Sequence, residues 1–215
     1  MRIIDCEQGS DAWIAARLGI PPTASEFHRI ITAAKGDLSK SARKYAHGLV
    51  VETLLGRPLE TAAGASWAMQ RGKAMEHFAI QQYSFANDVD VRRVGLVTTD
   101  DGRIGASPDG LVIGAGGGLE IKCCLDENHM GLFIDGPGDD YRQQVQGNLA
   151  ICELAWWDLY AYHPELPPVT IRTYRDEPYI AKLQAALSEF LAMRDEMLAR
   201  ARASGFFGAP ATLAA

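Results

Sequence analysis

The segment GASPDGLVIGAGGGLEIKCC, residues 105–124, constrains the fold more than any other part of the chain. Its two apolar stretches, separated by a glycine-rich turn, predict a β-hairpin. Charged side chains nevertheless lie within or beside these strands, at Asp109, Glu120 and Lys122. Buried charges are costly unless they pair with each other or bind a metal ion. The fold must therefore provide partners for this group.

The spacing of the charged residues predicts how they meet. Glu120 and Lys122 are separated by one residue, so on a strand both point to one face while Ile121 points to the other. Closing the hairpin places Asp109 beside Glu120. Two adjacent carboxylates repel each other unless a divalent cation neutralises them, and hard oxygen ligands favour Mg²⁺ or Mn²⁺. Lys122 would then orient or deprotonate a water that attacks phosphorus. The alternative is a capped turn with a surface ion pair worth about 0–1 kcal/mol.

A third acidic residue lies on a predicted helix. In RGKAMEHFAIQQY, Glu76 shares a helical face with Gly72, Ala79, Ile80 and Tyr83 through the i, i+3, i+4 and i+7 spacing. A carboxylate on such an apolar stripe needs a partner. Two partners are compatible with the pattern, a metal ion or a buried lysine or arginine.

The order of the predicted elements indicates the fold class. We expect one domain over 1–215, with N-terminal helices in 10–86, a sheet core in 88–175 and a C-terminal helix in 176–203. Helices that precede and follow a set of strands predict an α/β fold with a central mixed β-sheet flanked by helices.

Three local predictions are specific enough to be tested. The stretch TASE fits a capping box, with Thr23 as the N-cap and Glu26 at N3 of a helix that runs toward Ala34. Residues 126–140 are predicted to be a mobile loop. The four cysteines include no C-x-x-C pair, so we expect buried small residues rather than a zinc or iron–sulfur site.

Charge and hydropathy restrict location and partners. No stretch approaches the roughly 20 apolar residues that span a bilayer. Early acids argue against a secretory signal, and unpaired cysteines indicate a reducing compartment, so we expect a cytoplasmic protein with no membrane partner. The net charge of −6 argues against an extensive nucleic-acid-binding surface but leaves room for a local basic channel.

The charged hairpin resembles the metal motif of the PD-(D/E)XK nucleases, with a restriction-endonuclease-like core. A closer resemblance is to the family of lambda-exonuclease-like and YqaJ-like viral recombinase nucleases. It is carried by four blocks in the family's order: EQGSDAWIAARLG with TASE, RGKAMEHFA, SPDGL with GLEIKC, and YRQQVQGNLAICELAWWDLYAYHP. These blocks extend over residues 7–164.

The resemblance implies roles for particular residues. The implied metal ligands are Asp109, Glu120, the carbonyl of Ile121 and Glu76. The implied catalytic residues also include Lys122, Tyr141 and Gln144, and the implied substrate-binding residues are Arg17 and Ser25.

Arg17 also has a physical interpretation. Its guanidinium, beside the free N–H groups of the Thr23-capped helix and the hydroxyl of Ser25, would form an anion site for a 5′-terminal phosphate. The alternative is an ion pair with Asp11 or Glu7. The stretch GIPPTAS is one residue longer than the family pattern, which affects the placement of Ser25.

As a whole, the resemblance implies a Mg²⁺-dependent 5′-to-3′ exonuclease, with Mn²⁺ as an alternative ion and two ions in the substrate complex. Its substrate would be linear double-stranded DNA with a 5′ phosphate, and it would release 5′-mononucleotides and leave 3′ single-stranded tails. The family forms homotrimeric rings and works beside a single-strand annealing protein in phage recombination. Enclosure of DNA by a ring would reconcile DNA binding with an acidic net charge.

Other functions remain open at this point. A Cas4-like or RecB-like nuclease has the same metal core with another polarity, although the missing cysteine cluster argues against the former. A restriction-type endonuclease would cut closed circles. A non-catalytic DNA-binding recombination subunit would have no need of Asp109, Glu120 and Lys122 together.

Overall fold

The computed structural model describes residues 1–18, 22–59 and 67–205. The helices are α1 (Asp11–Leu18), a 3-10 helix (Ala24–Arg29), α2 (Ala42–Leu55), α3 (Trp67–Asn87), α4 (Asp126–Asp135), α5 (Arg142–Cys152) and α6 (Glu177–Ala203). The strands are β1 (Arg2–Ile4), β2 (Val91–Arg92), β3 (Leu96–Thr98), β4 (Gly105–Ala106), β5 (Gly110–Val112), β6 (Gly117–Lys122), β7 (Trp156–Ala161) and β8 (Val169–Tyr174). The stretch GIPPTAS was expected to be one residue longer than the family pattern. Its first three residues, at positions 19–21, lie outside the described residues.

The predicted central mixed sheet is confirmed. It has five strands in the order β2-β5-β6-β7-β8, in which β6 and β7 are parallel and the other neighbours are antiparallel. The predicted hairpin is β5–β6, with Gly110 opposite Leu119 and Val112 opposite Gly117. Helices α4 and α5 form the crossover that the parallel pair requires.

Side-chain alternation along β6 divides the sheet into two faces. Leu119 and Ile121 belong to a buried cluster with Ala79 and Tyr83 of α3. Glu120 lies on the opposite face, where Gln144 of α5 contacts it. The site residues therefore lie between the sheet and α5, while their neighbours on β6 anchor the strand in the core.

A glycine allows close packing beside this strand. A Cβ at Gly118 would lie 2.2 Å from the ring of Trp157, which is fully buried in the larger core with residues of α2, α5 and α6. Trp157 and Tyr160 are thus core residues.

A second, three-stranded antiparallel sheet was not predicted. Its order is β1-β3-β4, and Thr23 adds an isolated parallel bridge to Gly105 of β4. This sheet brings the N-terminal segment against the stretch that leads to Asp109. The three strands are two or three residues long, too short to give a clear alternation in the sequence.

The prediction of a mobile loop over 126–140 was wrong, because residues Asp126–Asp135 form α4. His129 and Leu132 are buried on one face, and Asp126 and Glu127 lie in the first turn, where negative charge stabilises a helix. His129 Nε2 also lies 2.8 Å from the carbonyl of Pro167, a contact that only the folded chain provides.

The capping-box prediction was also wrong. Ala24–Arg29 form a short 3-10 helix, and the Thr23 side chain makes no capping hydrogen bond. Glu26 instead forms an ion pair with Arg29 at 3.0 Å. Phe27, Ile30 and Ile31 are fully buried, and this packing takes the chain into the core before a longer helix develops.

The cysteine prediction holds for one residue. Cys152 is buried, whereas Cys6, Cys123 and Cys124 are half-buried free thiols. Among the described residues, no helix combines the length and apolar character needed to cross a membrane.

Candidate active site

The open end of the β5–β6 hairpin brings the predicted acids together. Asp109 precedes β5, and the register that pairs Gly110 with Leu119 carries Asp109 next to Glu120. One oxygen of Asp109 accepts a hydrogen bond from the backbone N–H of Ile121 at 2.6 Å. That bond fixes the carboxylate against β6, on which the other two charged residues lie.

Glu120 is a buried carboxylate whose two oxygens have different surroundings. Its Oε1 accepts hydrogen bonds from Lys122 Nζ and Gln144 Nε2, both at 2.7 Å. Its Oε2 is buried, and none of the described residues donates a hydrogen bond to it. A buried carboxylate oxygen without a partner is unfavourable, so this atom is available to an external ligand.

The electrostatics of the site disfavour two negative charges. Burial, and then the charge of Glu120, raise the pKa of Asp109 well above its ordinary value of 3.8. Glu76 raises it further, while the Ile121 N–H and Lys122 oppose the shift. In the protein alone, the raised pKa means that Asp109 loses its proton less readily than an ordinary aspartic acid does.

Lys122 remains positively charged in this arrangement. Burial alone would lower the pKa of Lys122, but the charge and hydrogen bond of Glu120, together with Asp109, outweigh burial and raise it. Its Nζ lies 5.2 Å from the centre of the Tyr141 ring. Tyr141, which immediately precedes α5, therefore lies beside Lys122, and Gln144 in the first turn of α5 contacts Glu120.

Glu76 has an arginine as its partner. Its Oε1 lies 2.5 Å from Arg93 Nη2, which corresponds to one of the two alternatives considered for this acid. Arg93 is, however, more than half exposed rather than buried. The sequence did not predict Arg93 as this partner. Its one hint is that Arg93 belongs to a pair of adjacent arginines, Arg92 and Arg93, in a β-rich stretch.

Arg17 lies with the two hydroxyl residues of the predicted phosphate site. Its Nη2 donates to Thr23 Oγ1 at 3.3 Å, and Thr23 Oγ1 lies 3.5 Å from Ser25 Oγ. Its guanidinium lies 5.0 Å from the centre of the Trp13 ring. Within the described part of the chain, no carboxylate forms an ion pair with Arg17, so neither alternative ion pair is present. Thr23 does not cap a helix, so the polar groups gathered here are the Arg17 guanidinium and the two hydroxyls.

The residues at the hairpin opening fit a divalent cation. Glu120 Oε2 is a hard oxygen donor without a partner, and Asp109 supplies a second carboxylate whose charge needs neutralisation. Among the described residues, no three His, Cys, Asp or Glu side chains gather into a ligand set. The remaining ligands would have to be the Ile121 carbonyl, water or substrate oxygens, which is usual for Mg²⁺.

The fold and the site together define a nuclease of the PD-(D/E)XK class: a mixed sheet presents an aspartate, a glutamate and a lysine from one hairpin. Within that class, residues 12–155 match the YqaJ-like viral recombinase domain. The chain belongs to this family.

Solved structures support the same assignment. The chain is similar to an alkaline exonuclease (LHK-Exo) from Laribacter hongkongensis, with 32% identity, a TM-score of 0.79, and coverage of 91% of this chain and 98% of that one. The same enzyme in complex with dAMP gives a TM-score of 0.80 at the same identity and coverage.

A more distant similarity concerns the fold alone. A phage-related exonuclease from Haemophilus somnus 129PT is 16% identical, with a TM-score of 0.70 and coverage of 86% of this chain and 98% of that one. A comparison with curated proteins gave no match.

Proposed function

We propose that this protein is a Mg²⁺-dependent exonuclease that digests the 5′ strand of linear double-stranded DNA, releases 5′-mononucleotides and leaves 3′ single-stranded tails for strand annealing. The carrying observation is the buried, unpartnered Oε2 of Glu120 beside Asp109 and the Lys122 ammonium. Family membership and similarity to alkaline exonucleases support the reaction class. The dAMP bound by one of them is a deoxynucleoside monophosphate, which agrees with a mononucleotide product.

The metal-binding residues would be Asp109, Glu120, the carbonyl of Ile121 and, after release from Arg93, Glu76. When bound there, Mg²⁺ (or Mn²⁺), as one ion or two in the substrate complex, would polarise the scissile phosphate and lower the pKa of a bound water.

The side chains around Glu120 have complementary tasks. Lys122 directs its N–H groups toward the attacking water and stabilises negative charge that develops on the phosphorus centre. Gln144 holds Glu120 Oε1 by a hydrogen bond and so fixes the direction of Oε2. Tyr141 closes the side of the site at which Lys122 lies, and its ring keeps the ammonium near Glu120.

Arg17 is the proposed anchor for the 5′-terminal phosphate, with Ser25 as a second donor. A guanidinium offers several N–H groups to phosphate oxygens, and the stacked Trp13 ring limits its movement. Thr23 connects the proposed phosphate-binding group of Arg17 and Ser25 to the metal site. It forms a β-bridge with Gly105, which precedes Asp109 by four residues.

The proposed assembly is a homotrimeric ring that encloses DNA and works with a single-strand annealing protein. Large apolar side chains are exposed on α3 and α4, two on each helix, and an assembly would bury them if they form a contiguous patch. They are Phe78, Phe85, Phe133 and Ile134, and Phe85 is 91% exposed. A ring also explains how a chain with a net charge of −6 retains DNA.

The test uses end-labelled linear duplexes that differ only in the presence of a 5′ phosphate. We expect Mg²⁺-dependent release of mononucleotides from 5′ ends, faster on the phosphorylated duplex, and no cutting of covalently closed circles. Arg17→Ala should remove the preference for the phosphate by weakening its anchor. Equal rates on both duplexes would refute the role of Arg17, release from 3′ ends would reverse the polarity, and cutting of circles would indicate an endonuclease.

A further inference from the structure

Gln8 connects two segments that carry site residues. It lies in the loop between β1 and α1, and its Nε2 donates to the carbonyl of Pro108 at 2.8 Å and to the carbonyl of Val94 at 3.0 Å. Neither contact is local, because the partners are 100 and 86 positions away in the sequence. One amide nitrogen therefore links three separate parts of the chain.

The Pro108 carbonyl lies directly beside a candidate site residue, and the Val94 carbonyl lies one residue beyond the arginine that pairs with Glu76. Pro108 precedes Asp109, and its carbonyl belongs to the peptide that leads into the Asp109 backbone. Val94 follows Arg93, which holds Glu76 in an ion pair. The distance between the Asp109 segment and the Arg93 segment is thus set in part by the Gln8 side chain.

The number of donors matches the number of acceptors. A side-chain amide has two N–H groups, and Gln8 directs each to one carbonyl. Val94 and Pro108 are both buried, so water cannot easily replace the amide if it is removed. Another side chain without two N–H donors would leave at least one buried carbonyl without this partner.

The loop that carries Gln8 is held firmly on the same segment. Trp13 Nε1 donates to the carbonyl of Gly95 at 3.0 Å, and a Cβ at Gly95 would lie 2.3 Å from the carbonyl oxygen of Cys6. On its other side the loop meets α3, where a Cβ at Gly9 would lie 2.7 Å from Lys73 Nζ. The packing on both sides of the loop therefore restricts the movement of the Gln8 backbone.

We propose that Gln8 is a positioning residue for the nuclease reaction: its amide holds the Pro108–Asp109 peptide and the Val94–Gly95 peptide, one residue after Arg93, in the arrangement that lets Asp109 and Glu76 serve one metal site. This inference rests on the proposed function and deepens it. Within the described part of the chain, the side-chain hydrogen bonds of Gln8 go to these two carbonyls, so its effect on the metal ligands passes through the two peptides. Groups that orient metal ligands in this way typically change metal affinity or activity by about 10- to 100-fold when they are removed.

The test compares Gln8→Met, which keeps the length of the side chain and removes both donors, with the wild type. On linear duplex DNA with Mg²⁺, we expect kcat to fall about 10- to 100-fold while KM for DNA stays within about twofold, because Gln8 contributes to ligand geometry rather than to DNA binding. Electron paramagnetic resonance titration of Mn²⁺ in the absence of DNA should show weaker binding by the variant.

Gln146→Met is the matched control. Gln146 also bridges two backbone groups, because its Nε2 donates to Tyr174 O and its Oε1 accepts from Asp176 N, both at 2.9 Å. This variant should lower the thermal midpoint but keep the wild-type kcat and Mn²⁺ affinity well below the transition.

The outcomes separate the inference from the function on which it rests. Wild-type kcat and Mn²⁺ affinity in Gln8→Met would overturn the positioning role, as would a loss that only follows the folded fraction, measured by circular dichroism. If the wild type itself does not cleave DNA, the proposed function fails, and the Mn²⁺ titration still decides whether Gln8 positions the ligands.

Discussion

Two buried acids on neighbouring strands have opposite surroundings. Asp158 of β7 is fully buried on the α3 side of the sheet, where it accepts two hydrogen bonds from Arg172 at 2.8 Å and one from Tyr83 at 2.7 Å. Glu120 of β6 is buried on the α5 side, and both of its donors go to one oxygen. The first carboxylate is satisfied by the chain, and the second is not.

The difference separates an acid whose partners all come from the chain from the acid to which the proposed function assigns a metal ion. The Asp158 network is closed, and the Arg172 guanidinium is further held by the ring of Trp156 at 3.7 Å. Burial and the hydrogen bond to Asp158 raise the pKa of Tyr83, which therefore remains a donor. Around Glu120 the chain instead places a second acid and leaves one oxygen open, an arrangement that favours an external cation.

The largest expected effect is at the open site. Lys122→Met removes a positioned N–H donor and its charge, and we expect kcat for DNA digestion to fall about 100- to 1,000-fold, the usual effect of losing one such donor. Nucleotide release from a linear duplex with Mg²⁺ measures it, and circular dichroism checks that the variant is folded. Retention of wild-type kcat would contradict the assignment of Lys122. The surroundings of Glu120 would then no longer indicate a catalytic site.

The closed network should respond in stability rather than in activity. Arg172→Met leaves Asp158 buried with Tyr83 as its remaining donor, so the free energy of unfolding should fall by about 3 kcal/mol. Chemical denaturation measures this change, and kcat should stay near wild type under conditions in which the variant is folded. The double variant Arg172→Met/Asp158→Leu is the control: it removes the uncompensated charge and should recover part of the loss. An equal loss in both variants would show that packing rather than charge accounts for the effect.

The smallest expected effect is stabilisation by metal, and its pH dependence has a definite sign. Because the pKa of Asp109 is raised in the folded protein, its contribution to stability is present below its ordinary value of 3.8 and is lost as the pH rises through the folded-state pKa. A cation that binds the deprotonated form offsets this loss at higher pH.

Stabilisation by Mg²⁺ should therefore be about 1–3 kcal/mol near pH 8, at 10 to 100 times the dissociation constant, and approach zero in acid. Thermal denaturation with and without Mg²⁺ across this pH range provides the measurement. Asp109→Asn is the control and should show weak stabilisation at every pH. A benefit from Mg²⁺ that does not change with pH would argue against Asp109 as the ligand.

Much of the fold and part of the site follow from local patterns in the sequence. Alternation and the glycine-rich turn were sufficient for the β5–β6 hairpin, and the spacing of Glu120 and Lys122 placed both side chains on one face. Register then brought Asp109 to the backbone of Ile121 at 2.6 Å. Tyr141 and Gln144, by contrast, were named from the family resemblance, and the structure places them at the start of α5 beside Lys122 and Glu120.

Other features depend on contacts between distant segments. The partner of Glu76 turned out to be Arg93, 17 positions away, and the sequence left metal and arginine as equal alternatives. Residues 126–140 were expected to be a mobile loop, but burial of His129 against Pro167 favours α4. The predicted capping box did not form because the Thr23 hydroxyl contacts Arg17 instead and Phe27 is buried in the core.

The sequence by itself determined the central sheet and most helices, the family, and the grouping of two acids and a lysine at one hairpin. These follow from short-range periodicity and from the order of motifs along the chain. Only the tertiary structure decided which oxygen of Glu120 stays open, which carboxylate is neutralised by an arginine, and that Gln8 joins two site segments. The physical reason is that hydrogen-bond satisfaction and burial depend on which distant segments meet, and this is not encoded in the spacing of neighbouring residues.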